Sequence, residues 1–548
     1  MEERILEILK TLVAMKSVSC STVEVEPAEW FADFFKGLPY FKEHPEDTGL
    51  YVIPNDPYGR KIPYALLRGK KTDTVLLSGH FDVVSTEEYG KAEPWAYEVG
   101  TKLEEMLATM PLNDEERADL ESGEWIWGRG VADMKGGLAI HATLFEEYAK
   151  QALEGTLEGS IVFMPVPDEE SYSTGMRNGI NILKEFKDKY GLNYKLLIDP
   201  EPTADKDNLQ IMSLGTVGKV MPAIIVQGKK GHMGHCYGGF SALGILADIY
   251  LRTNGSLEFS EVYEDEASVP PTWGNMRDMK KVYDVSIPHR AYGYFTALNF
   301  GMTPEEILNK LKRISTEAFE NQVEKLNNEF QQYKTMNKAE VMDKIYYEPK
   351  VIAFNELCEI AKEVKGQDAF DKFYKESYEK IVAKVNSGEA NFPSATIDMM
   401  EAMLDFADIQ YPIVLLGFAP PYYPPTHSDK VKGKEGYGTK AYKFVSELSE
   451  REYGQKVGYE NFFMGISDLS YGSITSPFDY VKYSANTPLW GDDYNIDFEG
   501  IEDVAIPGVI YGPIGRNYHQ YVERVHKESL TKVVPATTKA LIEYIWSI

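Results

Sequence analysis

Five short stretches combine an imidazole or carboxylates with the end of an apolar run: "SGHFDVV", "RGVADMKGG", "PVPDEES", "LLIDPEPT" and "NYHQYVERVHKES". Ionisable groups in such places are costly unless they are paired or bind a cation, so the chemistry they suggest is metal coordination. In the first stretch His80 precedes Asp82 by two residues. One ring nitrogen of His80 can bind metal while Asp82 or a backbone group orients the other; a satisfied buried histidine is the alternative. Asp133 stands before Gly136 and Gly137, where backbone can approach closely and a carboxylate can bridge two cations with its two oxygens. Its alternative is a helix N-cap. Glu169 and Glu170 are adjacent like charges, which suggests a division of labour: one ligand and one general base. Asp199 and Glu201 are both candidates at the fourth stretch. In the fifth, His519 is the stronger ligand candidate, with Glu523 four residues on and His526 read as a solvated helix residue.

The elements that must position these groups alternate. "TDTVLLSGHFDVV", "GSIVFMPVPDEE" and "YKLLIDPEPT" read as strands, separated by the helical patterns "GGLAIHATLFEEYAKQALEG" and "NGINILKEFKDKYG". Such alternation predicts an α/β domain with a mostly parallel central sheet, whose carboxyl edge is where ligands collect. From about 215 the texture changes to strand, helix, strand and long helix, the last opening on a Thr303 and Glu306 capping box. The expected organisation is a catalytic domain of residues 1–214 and 346–548, interrupted by a smaller α+β lid domain at 215–345. The acidic connection beginning at Glu258 reads as a loop over the site, or as surface padding.

The chain has 548 residues and a formal net charge of −28. That balance argues against nucleic acid and against anionic membrane surfaces as partners. Cys20, Cys236 and Cys358 lack zinc-ribbon or redox spacing, and no run reaches the length of a spanning helix. A soluble, cytoplasmic protein is the expectation.

Taken together, the stretches resemble the motifs of the aminoacylase, carboxypeptidase G and succinyl-diaminopimelate desuccinylase family of dinuclear zinc hydrolases. "GHFDVV" is similar to its metal-histidine motif, "GRGVADMKGG" to its bridging-aspartate motif, "DEE" to its base and ligand pair, "PEPT" to its GEPT strand end, and "YHQYVE" to its late histidine. The resemblance implies two zinc ions, with cobalt or manganese as substitutes. Asp133 would bridge them, Glu170 and His519 would complete one site, and His80 and Glu201 the other. It further implies that Asp82 supports His80 and that Glu169 is the general base for a zinc-bridged hydroxide attacking an amide. The substrate class it implies is a small peptide or N-acyl amino acid. "GKKGHMGHCYGG" resembles the family's lid segment, which places His232 at the tetrahedral oxyanion, ahead of His235 and Cys236, and implies a homodimer through the lid. Where relatives carry a carboxylate-binding arginine this chain has Asn299; Arg290 is a candidate substitute, with an exposed loop arginine as the favoured alternative. The chain length and "PPYYPP" resemble the arginine-utilisation branch, which points to arginine catabolism. Two other readings remain open: a metal-dependent binding or regulatory protein without turnover, and a dinuclear metallophosphoesterase, for which no basic phosphate clamp is present near the motifs.

Overall fold

The computed structural model describes every residue except 204, 207–208 and 338–343, and the backbone alone at 205–206. Two compact units result, one formed by Met1–Val217, Pro424–Thr475 and Ile496–Ile548, the other by Gly218–Tyr423 and Ser476–Asn495.

In the first unit the main sheet runs, edge to edge, Thr48–Val52, Lys61–Leu67, Ser160–Val166, Asp73–His80, Asn193–Asp199, Gly508–Ile510, Leu209–Ser213 and Val457–Glu460. The four strands from Ser160–Val166 to Gly508–Ile510 are mutually parallel. Ser160–Val166 is buried at every position, as a central parallel strand covered on both faces must be. Parallel alignment also brings four carboxyl ends to one edge, and those ends lead into His80, Glu169 and Glu170, Glu201, and the loop that carries His519. The helix Lys135–Leu153 packs over the sheet with most of its length buried. Its first turn needs glycine: a Cβ on Gly137 would lie 2.2 Å from the Pro200 carbonyl oxygen, and one on Gly136 would lie 2.4 Å from that of Val131. Asp133 is thereby drawn against the strand end that delivers Glu201.

The second unit is built on a sheet ordered Gly218–Val220, Arg290–Asn299, Pro222–Gln227, Ile413–Phe418 and Val351–Ala353, with Thr272–Asp278 also paired to Arg290–Asn299. The long helix Pro304–Met336 starts on the expected capping box: the Thr303 amide donates to Glu306 at 2.8 Å and the Glu306 amide to Thr303 Oγ1 at 3.3 Å. Two sequence expectations differ here. The insert was expected to close at 345, yet Val351–Ala353 and Ile413–Phe418 join the same sheet, parallel to each other, with Ile413–Phe418 antiparallel to Pro222–Gln227. This compact unit therefore runs on to Tyr423 and resumes at 476–495. The acidic connection, expected as a loop, contains the strand Thr272–Asp278, because pairing along Arg290–Asn299 outweighs its low apolar content.

Candidate metal centre

His80 is the last residue of its strand and is 1% exposed. Its Nε2 lies 3.2 Å from Asp133 Oδ1 and 3.3 Å from Glu201 Oε1. His519 Nε2 lies 3.2 Å from Asp133 Oδ2 and 3.0 Å from Glu170 Oε1. The two oxygens of Asp133 thus face two different donor sets, and within each set one atom per residue falls within 4.8 Å of the others. Zinc bonds of 2.0–2.2 Å imply tetrahedral edges of about 3.3–3.6 Å, close to these separations. The centre also holds four carboxylates, those of Asp133, Glu169, Glu170 and Glu201, against two imidazoles, a surplus of negative charge that burial makes costly unless cations share the site. The residues present fit a pair of divalent ions.

The electrostatics agree in direction. Burial opposes charge on His80, but Glu201, Asp133 and Asp82 outweigh it and hold the imidazole well above its ordinary range. Hydrogen bonds to Asp133 and Glu170 push His519 up to about 10. Burial drives Glu169 and Glu201 well above the usual carboxylate range, with Glu201 adding to it at Glu169 and Asp133 adding to it at Glu201. Glu170 moves the same way, through burial and then Asp133. Asp133 alone among the four is lowered: burial acts against it, but hydrogen bonds from both histidines prevail.

Asp82 is a hub. It is fully buried, its carbonyl oxygen is 3.0 Å from His80 Nδ1, and its carboxylate is 3.5 Å from the same nitrogen. The carboxylate accepts the amides of Glu169 at 3.1 Å and Glu170 at 3.2 Å, and the Ser19 hydroxyl at 2.6 Å. Asp82 therefore holds the His80 ring through its backbone carbonyl and the backbone of Glu169 and Glu170 through its carboxylate. Glu523, also fully buried, does the same for the Asp133 loop, accepting from the Ala132 and Asp133 amides at 3.2 and 3.3 Å while paired with Arg129 at 2.5 Å.

Of the alternatives at the fourth stretch, Glu201 joins the donor set, whereas Asp199 accepts from Ser467 Oγ at 2.7 Å. His526 sits in the short strand Arg524–His526 against Trp125, and not on a helix, because it pairs with the strand Trp125–Trp127. His232 belongs to the second unit, is exposed, and accepts from the Gly234 amide through Nδ1. In that unit Arg290 is held by Gln227, Glu401 and Asp405, and Asn299 is buried at the end of its strand. A third grouping of donors, His44, Glu46 and Asp47, is filled by the chain itself: Arg68 donates to Asp47 at 2.7 Å and lies 3.0 Å from His44 Nδ1.

Sequence reading missed the support beneath Glu169 and Glu170. Asp168, at φ +70°, is fully buried and pairs with Arg60 at 2.5 Å, and Arg60 also meets Glu24 at 3.4 Å and Asp56 at 2.6 Å. Asp168 Oδ2 accepts from the Thr174 amide at 3.1 Å, which ties the loop to the helix Thr174–Tyr190. Replacing Arg60 by methionine would strand three buried carboxylates. It is expected to lower the unfolding free energy by roughly 3–5 kcal/mol, read from urea denaturation; a loss below about 1 kcal/mol would mean that the network bears little load.

Fold and centre together define a class, the metal-dependent hydrolases that assemble a two-cation site at the edge of an α/β sheet. The sequence matches peptidase family M20/M25/M40 over residues 76–471, and the chain belongs to that family. It is a metal-dependent peptidase or amidohydrolase. It is 29% identical over 542 residues to the uncharacterized protein YqjN of Bacillus subtilis (strain 168), covering 97% of this chain and 95% of YqjN. It is 26% identical over 542 residues to protein RocB of the same organism, covering 97% and 93%. A tripeptidase of Staphylococcus aureus shares the fold with a TM-score of 0.52 at 14% identity, covering 100% of this chain and 99% of that one. Among the described residues no helix is long and apolar enough to cross a membrane.

Proposed function

We propose that this chain hydrolyses the amide bond of a small peptide or N-acyl amino acid at a two-zinc centre. The observation that carries the reading is the division of Asp133, with Oδ1 toward His80 and Glu201 and Oδ2 toward His519 and Glu170. Imidazole and carboxylate donors suit zinc, with cobalt or manganese as substitutes. When bound, such a pair of ions acidifies a shared water and polarises the amide carbonyl. Glu169 is the general base: it takes a proton from the attacking water and returns it to the leaving nitrogen. Its amide is fixed by Asp82, so the carboxylate is held beside the donors without being spent as one of them. Asp82 and Glu523 keep the imidazole and the bridging loop in register.

Metal analysis of protein purified without chelator tests the centre; about two zinc per chain is expected, together with hydrolysis of dipeptides or N-acyl amino acids that chelation abolishes. Metal-loaded protein with no activity on any amide would overturn the reading and favour a binding protein.

The resemblance also assigns His232 to the developing oxyanion. His232→Ala is expected to reduce kcat by about 10²–10³ with metal content unchanged; a change confined to KM would remove His232 from the transition state. A homodimer through the second unit, a cytoplasmic location supported by three unpaired cysteines, and a place in arginine catabolism supported by the likeness to protein RocB complete the proposal.

A further inference from the structure

The two histidines of the centre are held in different ways. His80 is buried, whereas the His519 side chain is 51% exposed, so burial does not fix its ring. Its place is set by a hairpin within the first unit. Gly515–Arg516 runs antiparallel to Arg524–His526, and His519 lies in the loop between them at φ +60°, two residues after Asn517 at φ +55°. Residues other than glycine adopt such left-handed conformations uncommonly and keep them where neighbouring contacts hold them. Arg524 supplies those contacts. It is fully buried, and its Nη1 donates to Asn517 Oδ1 at 2.7 Å and to the Val522 carbonyl oxygen at 3.1 Å, so one guanidinium ties both ends of the loop. Its register partner across the hairpin is another arginine, Arg516. Like charges directly opposite on adjacent strands repel, and a carboxylate answers them: Asp119 Oδ2 accepts from Arg524 Nε at 2.7 Å and from Arg516 Nη1 at 2.8 Å. Glu115 adds longer contacts to the same two guanidiniums, at 3.5 and 3.3 Å.

Glu115 and Asp119 both come from the helix Asp114–Ser122, where spacing by four residues puts them on one face. The helix starts on its own capping box, Asn113 and Glu116 exchanging hydrogen bonds of 2.8 Å in both directions. Leu120 packs against an apolar cluster that joins Tyr89, Leu103 and Leu107 to Trp127 and Val522. The Trp127 ring also lies 4.9 Å from the Arg524 guanidinium. From this arrangement we infer that Arg524 is the positioning residue of His519, and that the helix Asp114–Ser122 is a strap whose Asp119 keeps Arg524 in place. The strap belongs to neither donor set and acts on one of them through the loop backbone. The neighbours Glu523 and Arg524 thus divide the support: Glu523 steadies the Asp133 loop, which both sets share, and Arg524 the histidine that only one set uses. The inference rests on the two-cation reading proposed above and deepens it, because it makes the tightness of one cation site depend on a segment about four hundred residues away in the chain.

The test is zinc affinity, measured on the full-length protein by competition with a chromophoric chelator. Asp119→Asn keeps the shape of the strap and removes the charge between the arginines. Asn517→Gly removes the acceptor of Arg524 while allowing the positive φ, and it decides the matter if Asp119→Asn does not fold. Each is expected to weaken one of the two zinc-binding steps by about 10- to 100-fold and to leave the other within about threefold. In His519→Ala protein, whose remaining ion uses the His80 set, the same substitutions are expected to change zinc affinity by less than about threefold, since the coupling runs through the missing histidine. Both steps weakened alike, neither step weakened, or an equal loss in the absence of His519 would overturn the positioning role while leaving the two-cation centre standing. If His519→Ala holds no zinc, the two steps of the otherwise unaltered protein decide. Unaltered protein that binds no zinc would instead overturn the two-cation reading, and this inference with it.

Discussion

Glu169→Gln is expected to lower kcat by about 10²–10⁴ while the protein keeps its full complement of metal. The argument is one of placement. Glu169 Oε2 is 3.8 Å from His80 Nε2, near the donors, yet Glu169 is absent from both donor sets, whereas Glu170 completes the set of Asp133 and His519. Burial and the neighbouring Glu201 push the Glu169 carboxyl upward, which is the direction a base needs if it is to hold a proton between abstraction and delivery. Glutamine preserves the shape and leaves the Asp82 contact to the backbone intact, but it cannot accept the proton. The companion variant Glu170→Gln should do the reverse and release metal before it affects the chemistry. Mass-spectrometric metal content measured beside kcat separates the two. Metal lost from Glu169→Gln and retained in Glu170→Gln would exchange their roles.

Much of this arrangement was legible in the sequence, for a physical reason. Parallel strands deliver whatever follows them to one edge, so apolar runs ending in "GH", "PDEE" and "DPEP" announce residues that will meet there even though their spacing along the chain is large. The paired glycines after Asp133 were legible too, since the close approach to Pro200 leaves no room for a Cβ. Long-range charge pairing was not legible. Arg60 and Asp168 differ by 108 in residue number, and Arg129 and Glu523 by 394, and no local periodicity marks either pair. The domain boundary escaped for a related reason. Residues 351–353 and 413–418 have the apolar texture of an α/β strand wherever they pair, and only the register with Pro222–Gln227 assigns them to the second unit. Short strands such as Arg524–His526 likewise depend on a partner, here Trp125–Trp127, nearly four hundred residues away.

The centre itself is tested most sharply by removing its donors one at a time. His80→Ala is expected to reduce bound zinc from about two per chain to about one, because the Glu170 and His519 set does not use His80. Asp133→Ala is expected to lose both, since its two oxygens serve both sets. Asp82→Ala, which removes no donor and keeps the backbone carbonyl on His80 Nδ1 but takes away the carboxylate 3.5 Å from that nitrogen and frees the Glu169 and Glu170 amides, should weaken metal affinity by about 10- to 100-fold, the usual cost of losing an outer partner. Activity should follow occupancy in the donor variants. In Asp82→Ala it should be recovered in part by added zinc, because affinity and not the donor set has changed. The decisive contrast lies between His80→Ala and Asp133→Ala. Equal zinc loss in the two would mean that the ions bind as an inseparable pair, whereas unchanged zinc in Asp133→Ala would mean that the aspartate is not shared, and the two-cation assignment would fall.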